Sequence, residues 1–232
     1  MSIWYFFAVV FAALQTLLIG TMRRTGAFRQ HPLIFLYAIA LLLSNVVEWA
    51  SVLGFGLTNN RAYALYWWTN EIILQLLLFS IMIALIHRAA RETPARWILT
   101  AGSIVAVVLV CALIVLLRAQ GAPDTLSKWI TVVSRNLSFC SALLNLALWS
   151  VILRRKSRHF QLLLLSLGLG LQTTGKAIGH SLRGMSPAVE DAGNWVITLS
   201  MICCLLIWWY AFKANPILRD GSGLGTPRQE FA

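Results

Sequence analysis

The chain has 232 residues, of which 59% are hydrophobic and 12% are charged, and its mean hydropathy is +0.74. A soluble domain needs about twice that share of charged residues to cover its surface, so the composition excludes a soluble globular protein and indicates a polytopic membrane protein. The net charge of +11 does not point to nucleic acid, because the basic residues cluster in the loops between apolar segments.

Seven apolar runs are long enough to cross roughly 30 Å of hydrocarbon as helices. In chain order they cover residues 3–20, 33–55, 63–86, 97–117, 128–153, 160–182 and 193–212. Uninterrupted runs such as LIFLYAIALLL are typical of membrane helices, and they lack the alternation of a β-barrel. The sequence therefore predicts an all-α transmembrane domain of seven helices at 1–213 and a flexible cytoplasmic tail at 214–232.

The first run, MSIWYFFAVVFAALQTLLIG, lacks a basic N-terminal region and is followed at once by TMRRTGAFR. These features predict a retained span rather than a cleaved signal peptide. The first and fourth runs are almost purely apolar, and we expect both helices to lie at the periphery of the bundle.

Lysine and arginine are distributed unequally between alternate loops: thirteen lie on one side and four on the other. Cytoplasmic loops carry the basic excess in membrane proteins, so we predict an N-terminus outside, a cytoplasmic C-terminus and a location in the plasma (inner) membrane. The basic side also favours contact with anionic lipid headgroups. The predicted partner is thus the lipid bilayer, and no nucleic acid is expected.

Four ionisable residues lie well inside the predicted spans: Glu48, Glu71, Arg135 and Lys176. Each costs at least a few kcal/mol at mid-span, so we expect all four to face the bundle interior and to be paired. At a rise of 1.5 Å per residue they lie roughly 9–12 Å below the outer boundary of the membrane. Two acids and two bases therefore share one layer.

Further polar side chains recur at helical spacing in the same layer. The predicted members are Asn45, Asn70, Gln75, Thr173, His180 and Asn194. Helix 6 also carries Gly175 and Gly179 in the stretch GKAIG, a small-xxx-small pair that allows a neighbouring backbone to approach closely.

The layer has two interpretations. One is a closed network of ion pairs that fixes helix register and binds nothing. The other is a small polar cavity that faces outward and takes a ligand with an anionic or zwitterionic group. In that hypothesis Lys176 and Arg135 hold the anion, while Glu48 and Glu71 balance the cations or accept a proton.

The sequence contains no G-x-S-x-G, H-E-x-x-H or phosphate-binding glycine loop, which predicts a non-enzymatic protein. Its cysteines, Cys111, Cys140, Cys203 and Cys204, all fall within predicted spans and form no C-x-x-C pair. We therefore expect neither disulfides nor a zinc cluster.

No cofactor is expected either. His31, His87 and His159 lie at the inner ends of helices with basic neighbours, and we interpret them as interface anchors rather than haem ligands. A retinal Schiff base at Lys176 is disfavoured, because microbial rhodopsins carry their lysine on the last helix, where this chain has only Lys213 at the inner end.

The region YALYWWTNEIILQLLLF puts aromatic residues before Asn70 and Glu71 at the outer start of the third span. In this region and in its hydropathy the chain resembles a set of small seven-helix membrane proteins of bacterial genomes. The resemblance implies a fold and no activity. From the residues we predict a sensor-like or receptor-like role; the alternatives are a small transporter or channel, and an accessory subunit of a larger membrane complex.

Overall fold

The computed structural model describes residues 2–52, 61–89, 97, 101, 102, 104, 105, 126–154, 160–183, 185 and 189–214. Within this part the chain forms seven helices and no strand: α1 Ser2–Thr25, α2 Ala27–Gln30, α3 Pro32–Val52, α4 Arg61–Ala89, α5 Leu126–Arg154, α6 Phe160–Arg183 and α7 Glu190–Lys213. The side chains of residues 2–5, 51, 52, 61–65, 67, 68, 126–135, 151, 153 and 154 lie outside the description. The predicted all-helical fold is confirmed.

Five of the helices contain stretches long and apolar enough to cross a membrane: Phe6–Thr25, Pro32–Ala50, Thr69–Ala89, Phe160–Arg183 and Glu190–Lys213. The chain is therefore a multi-pass membrane protein. Helix α5 coincides with the fifth predicted span, and its crossing of the membrane stays a prediction. The fourth predicted span at 97–117 lies almost wholly outside the described residues, as does the tail beyond Ala214.

A short connection joins α1 to α3 at one end of the bundle. Gly26 adopts a φ of 70°, a left-handed conformation that favours glycine, and it ends α1 after Thr25. The His31 amide then donates to the Ala27 carbonyl at 2.9 Å and closes α2. Pro32 opens α3, where a missing N–H leaves no helical hydrogen bond unmade.

The long helices enclose a common interior. They contact one another in the order α1, α3, α4, α5, α6 and α7, and α7 returns to contact α1. Helix α4 also contacts α6 directly, so α5 packs on the outside of this pair. The interior is consequently bounded by α1, α3, α4, α6 and α7.

Helices α6 and α7 pack closely because α6 presents glycine where α7 presents larger groups. A β-carbon at Gly168 would lie 2.6 Å from the Trp208 indole nitrogen, and one at Gly179 would lie 2.7 Å from the Gly193 carbonyl oxygen. A β-carbon at Gly175 would overlap the Ser200 side chain. The close approach predicted from the GKAIG stretch is confirmed, and the approaching helix is α7.

The apolar core fills the half of the bundle that contains the α1–α3 connection. Its largest fully buried side chains include Tyr37, Phe79, Trp208 and Phe212. Trp208 donates from its indole nitrogen to the Leu165 carbonyl at 3.1 Å. The larger cavity described below lies toward the opposite end, where α6 ends and α7 begins.

Candidate functional site

A cavity of about 210 Å³ lies between the five enclosing helices. Helix α1 contributes Phe11 and Gln15; α3 contributes Leu41, Ser44, Asn45 and Glu48; α4 contributes Asn70, Glu71 and Leu74; α6 contributes Lys176, His180 and Arg183; and α7 contributes Ile197 and Met201. Polar residues form most of the wall toward the end of α6, and apolar residues form much of the wall toward the packed core. The cavity is therefore amphipathic along its length.

An ion pair crosses this cavity. The Lys176 ammonium nitrogen donates to the Glu71 Oε1 at 3.0 Å, and the two side chains are 9% and 19% exposed. A buried pair of this kind offsets the desolvation of both charges only while both partners remain. The pairing of Lys176 with a glutamate, predicted from their shared depth, is confirmed.

Other predicted site residues line the same cavity and are positioned by hydrogen bonds between helices. Asn70 on α4 accepts from the Ser44 hydroxyl on α3 at 2.8 Å. Asn45 on α3 donates to the Ala8 carbonyl on α1 at 3.3 Å. These bonds fix α3 against both neighbours, so the cavity walls are pre-organised.

Glu48 and His180 complete the predicted residues at the cavity, and they differ in burial. Glu48 is exposed and borders the opening, whereas His180 is buried beside Lys176 on the same face of α6. The carboxylates of Glu48 and Glu71 lie within electrostatic reach of each other. The cavity thus runs from an exposed acid to a buried ion pair.

Three predicted site residues do not line this cavity, and a fourth, Arg135, cannot be placed because its side chain lies outside the description. Gln75 donates to the Ser141 hydroxyl at 2.8 Å and so joins α4 to α5. Thr173 donates to the Leu169 carbonyl of its own helix at 3.0 Å, and Asn194 lies half-buried near the start of α7. Arg135 belongs to α5, but its side chain lies outside the described residues.

Sequence reasoning missed three polar residues of the cavity: Gln15, Ser44 and Arg183. Arg183 falls one residue beyond the predicted span at 160–182, yet it continues the α6 series of Thr173, Lys176 and His180 at alternating spacings of three and four. That periodicity could have revealed it. Ser44 lies one helical turn before Glu48, which is a weaker signal.

Helix α1 has the smallest buried share of the five apolar spans, as expected for a helix at the periphery, yet one of its faces also reaches the interior. Gln15 is 2% exposed and, with Phe11, lines the cavity, so α1 forms part of the interior wall. The fourth predicted span lies outside the described residues.

A second buried polar cluster lies between the cavity and the end of the bundle that contains the α1–α3 connection. The Gln172 amide donates to the Tyr37 hydroxyl, and the Cys204 thiol donates to the Gln172 carbonyl oxygen at 3.4 Å. The Tyr37 ring packs edge-on against Trp208, with ring centres 6.0 Å apart. This cluster joins α3, α6 and α7 through side chains that are fully buried.

A second, smaller cavity of about 140 Å³ lies at the opposite end of the bundle and is lined by His31 and Arg88. An Arg88 nitrogen lies 3.0 Å from the His31 Nε2. Burial, followed by the charge of Arg88, lowers the pKa of His31 from 6.5 to about 4. His31 is therefore a neutral acceptor at physiological pH.

The described residues offer little for a metal or haem. No group of three or more His, Cys, Asp and Glu side chains in the described part converges on a point that could hold a metal ion. His31 bonds to Arg88, and the His87 ring packs against Trp97 with ring centres 5.8 Å apart. His159 lies outside the described residues.

The fold and the cavity define a multi-pass helical membrane protein with a charge-paired polar interior. Comparisons with models of protein families, with curated proteins and with solved structures found no match to this chain. The arguments about function consequently rest on the geometry of the cavity.

Proposed function

We propose that this protein is a receptor-like or sensor-like protein of the plasma membrane that binds a small anionic or zwitterionic ligand from the outer side. The observation that carries the proposal is the cavity of about 210 Å³ around the Lys176–Glu71 ion pair. Buried charges are rare in membrane spans, and each is by default a candidate for a binding site or a pathway.

The size and charge of the cavity support the ligand class. Pockets for drug-sized ligands have volumes of roughly 300–1,000 Å³, so a cavity of about 210 Å³ fits a smaller molecule. Its wall carries two basic side chains, Lys176 and Arg183, and two acidic ones, Glu48 and Glu71. Lys176 is already engaged by Glu71, so Arg183 is the described cation best able to receive an anionic group.

The proposed topology has seven spans with the N-terminus outside. The distribution of charge supports it: Arg23, Arg24, Arg88 and Lys213 all lie in the last turns of their helices at one end of the bundle. The cavity lies toward the other end, where Glu190 and Asp191 begin α7. Since the basic end belongs in the cytoplasm, the ligand would enter from outside.

A column of packed side chains supports a route from the cavity to the cytoplasmic end. Gln172 lies one turn below Lys176 on α6 and bonds to Tyr37. Below Tyr37, α7 presents Trp208 and then Phe212, whose ring packs against His31 with centres 5.7 Å apart. A shift of the Lys176 side chain on ligand binding would be passed down this column, because close-packed side chains move together.

The proposal is tested by binding to the full chain in lipid nanodiscs. Saturation-transfer NMR detects weak binding, and the probes are acetate, glycine and 4-aminobutanoate, with ethylammonium as the cation control. The double variant Lys176→Met/Glu71→Leu removes the ion pair without leaving a lone buried charge. Lys213→Met removes an exposed cation at the opposite end and serves as the matched control.

We expect at least one probe that carries a carboxylate to bind the wild type and the Lys213→Met control but not the double variant. Binding of no such probe, or equal binding to the double variant, would overturn the proposal. Uptake of the bound probe into proteoliposomes, measured beside empty liposomes, separates the roles. A sensor gives no flux, whereas flux would replace it with the transporter alternative. Stoichiometric co-purification with a larger membrane complex would favour an accessory subunit.

A further inference from the structure

Gln15 carries an unused acceptor at the inner end of the cavity. Its side chain lines the cavity and is 2% exposed. Its Oε1 is buried and has no hydrogen-bond partner among the described residues. A buried carbonyl oxygen without a donor is unfavourable, and around it Leu41, Leu74 and Met201 offer no donor from their side chains. A donor on a ligand would satisfy it.

Arg183 carries an unused donor at the outer end. Its Nε is buried without a hydrogen-bond partner in the described part of the chain, and the side chain lines the cavity. The guanidinium lies within electrostatic reach of Glu190 and Glu71. Because guanidinium groups bind carboxylates through paired N–H donors, the outer end of the cavity is suited to a carboxylate.

The two unused groups are separated along the bundle. Arg183 packs against Gly193, and Phe7 packs against Trp195 one short step further along α7, with ring centres 5.1 Å apart. Gln15 lies eight residues beyond Phe7 on α1, which is roughly 12 Å deeper at 1.5 Å per residue. The cavity is therefore elongated, with an acceptor at its floor and a cation at its mouth.

The two side chains lean toward each other, which shortens this separation. Side chains of a helix point toward its N-terminus. The N-terminus of α6 is the inner end, so Arg183 reaches inward; the N-terminus of α1 is the outer end, so Gln15 reaches outward. The two unused groups nevertheless belong to opposite ends of an elongated cavity. A ligand that meets both therefore carries its two polar groups at opposite ends of its carbon chain.

The charges on the wall specify the net charge of the ligand. Glu48 and Glu71 balance Lys176 and Arg183 among the described residues of the cavity, so a ligand without net charge keeps the balance. Glu71 lies about one turn outward of Leu74 on α4. Its carboxylate is paired with Lys176, so a ligand that places a carboxylate at Arg183 keeps the balance when it also carries one cationic group.

We infer that the ligand is an ω-amino carboxylic acid, bound with its carboxylate at Arg183 and its ammonium at Gln15. This inference rests on the proposed binding function and names the substrate class of that site. Chain length and the presence of both ends are then the determinants of affinity: 4-aminobutanoate and 5-aminopentanoate bind, while glycine is too short.

The test is a ligand series measured on the full chain in nanodiscs by saturation-transfer NMR with competition. The probes are glycine, 4-aminobutanoate, 5-aminopentanoate, pentanoate and pentylamine. We expect one of the two longer amino acids to bind at least tenfold more tightly than glycine, pentanoate and pentylamine. In Gln15→Leu, the affinity of this amino acid should exceed that of pentanoate by about twofold or less. In Arg183→Met, its affinity should exceed that of pentylamine by about twofold or less.

Two variants serve as controls. Thr16→Val alters the neighbouring polar residue of α1, which is exposed and bonds within its own helix to Ala12. Lys213→Met removes a cation far from the cavity. Both should keep the full preference of the wild type. The ligand series on the wild type decides the matter even if a cavity variant fails to fold.

The outcomes separate this inference from the proposed function. If pentanoate or glycine binds as tightly as the longer amino acids, the site takes small carboxylates, the proposed function stands and the inference is overturned. If no member of the series and none of the earlier probes binds, both fail. An unchanged preference in a folded Gln15→Leu protein would overturn the assignment of the ammonium to the floor.

Discussion

The Lys176 ammonium of α6 lies 3.0 Å from the Glu71 carboxylate of α4, although 105 residues separate them in the sequence. Both belong to helices long and apolar enough to cross a membrane. In such surroundings each charge is tolerated because the other is present. The pair therefore fixes the register of α4 relative to α6, and both of its residues line the cavity.

The glycines of α6 are required for the close approach of α7. Gly168→Ala would put a β-carbon 2.6 Å from the Trp208 indole nitrogen, and Trp208 is completely buried. We expect this variant to lower the unfolding temperature in nanodiscs, with a loss of about 1–3 kcal/mol from overpacking. Gly20→Ala is the control, because nothing lies within 4 Å of a β-carbon there, and it should be neutral or stabilising. Equal effects of the two variants would contradict the packing described here.

The cluster below the cavity is predicted to couple Tyr37 to Gln172. Tyr37→Phe removes the acceptor of the Gln172 amide and should cost about 1–3 kcal/mol through an unsatisfied buried donor. The double variant Tyr37→Phe/Gln172→Leu should recover part of that loss, since both polar partners are then gone. Tyr210→Phe, at an exposed position of α7, should be neutral. Strictly additive effects in a thermal-unfolding cycle would exclude the coupling.

The stability of the protein should depend on pH through His31. Its pKa falls from 6.5 to about 4 in the folded state, chiefly through burial, so between those values the unfolded chain binds more protons than the folded one. The stabilising contribution of neutral His31 is therefore fully present above pH 6.5. The free energy of unfolding falls as the pH drops toward 4, by at most about 3 kcal/mol.

This prediction is measured as the difference in unfolding temperature between pH 7.5 and pH 4.5 in nanodiscs. His31→Gln should reduce the difference, while His87→Gln, which removes another histidine near the same end of the bundle, should not. A His31→Gln protein with the same pH dependence as the wild type would show that His31 is not responsible.

The proposed orientation predicts which end of the bundle reagents reach in intact cells. Met185, beyond the end of α6, is 75% exposed, and Ala214, after α7, is exposed at the other end. With a maleimide that does not cross membranes, Met185→Cys should react in intact cells and Ala214→Cys only after lysis. The parent chain, whose native cysteines fall within predicted spans, provides the background. The reverse pattern would invert the topology.

The long helices of the described part of the chain and the pairing of Lys176 with a glutamate could be predicted from the sequence. Apolar runs of membrane length and the cost of charge in hydrocarbon are strong, local signals, so the predicted spans at 160–182 and 193–212 fall within α6 and α7, and Lys176 meets a predicted partner. Depth along a helix follows from residue number alone, which is why Glu71 and Lys176 could be assigned to one layer.

The residues that line the cavity could be predicted less well from the sequence. Whether a polar residue faces the interior depends on the rotation of its helix and on the identity of its neighbours, which a single sequence specifies weakly. Gln75 turns toward Ser141 on α5 instead of the cavity, while Gln15 enters it from a helix expected at the periphery. Arg183 falls one residue beyond the predicted span at 160–182, although it lies on the polar face of α6.

The most direct test of this account exchanges the charges of the central pair. Glu71→Lys and Lys176→Glu should each reduce the unfolding temperature in nanodiscs sharply, because each brings like charges together inside the bundle, at a cost of about 3–5 kcal/mol. The double exchange should recover most of the loss. Lys176→Glu combined with Glu190→Lys restores the same net charge at an exposed position and should recover little. A double exchange no more stable than the single variants, or equal rescue by the Glu190→Lys combination, would contradict the pairing on which the cavity depends.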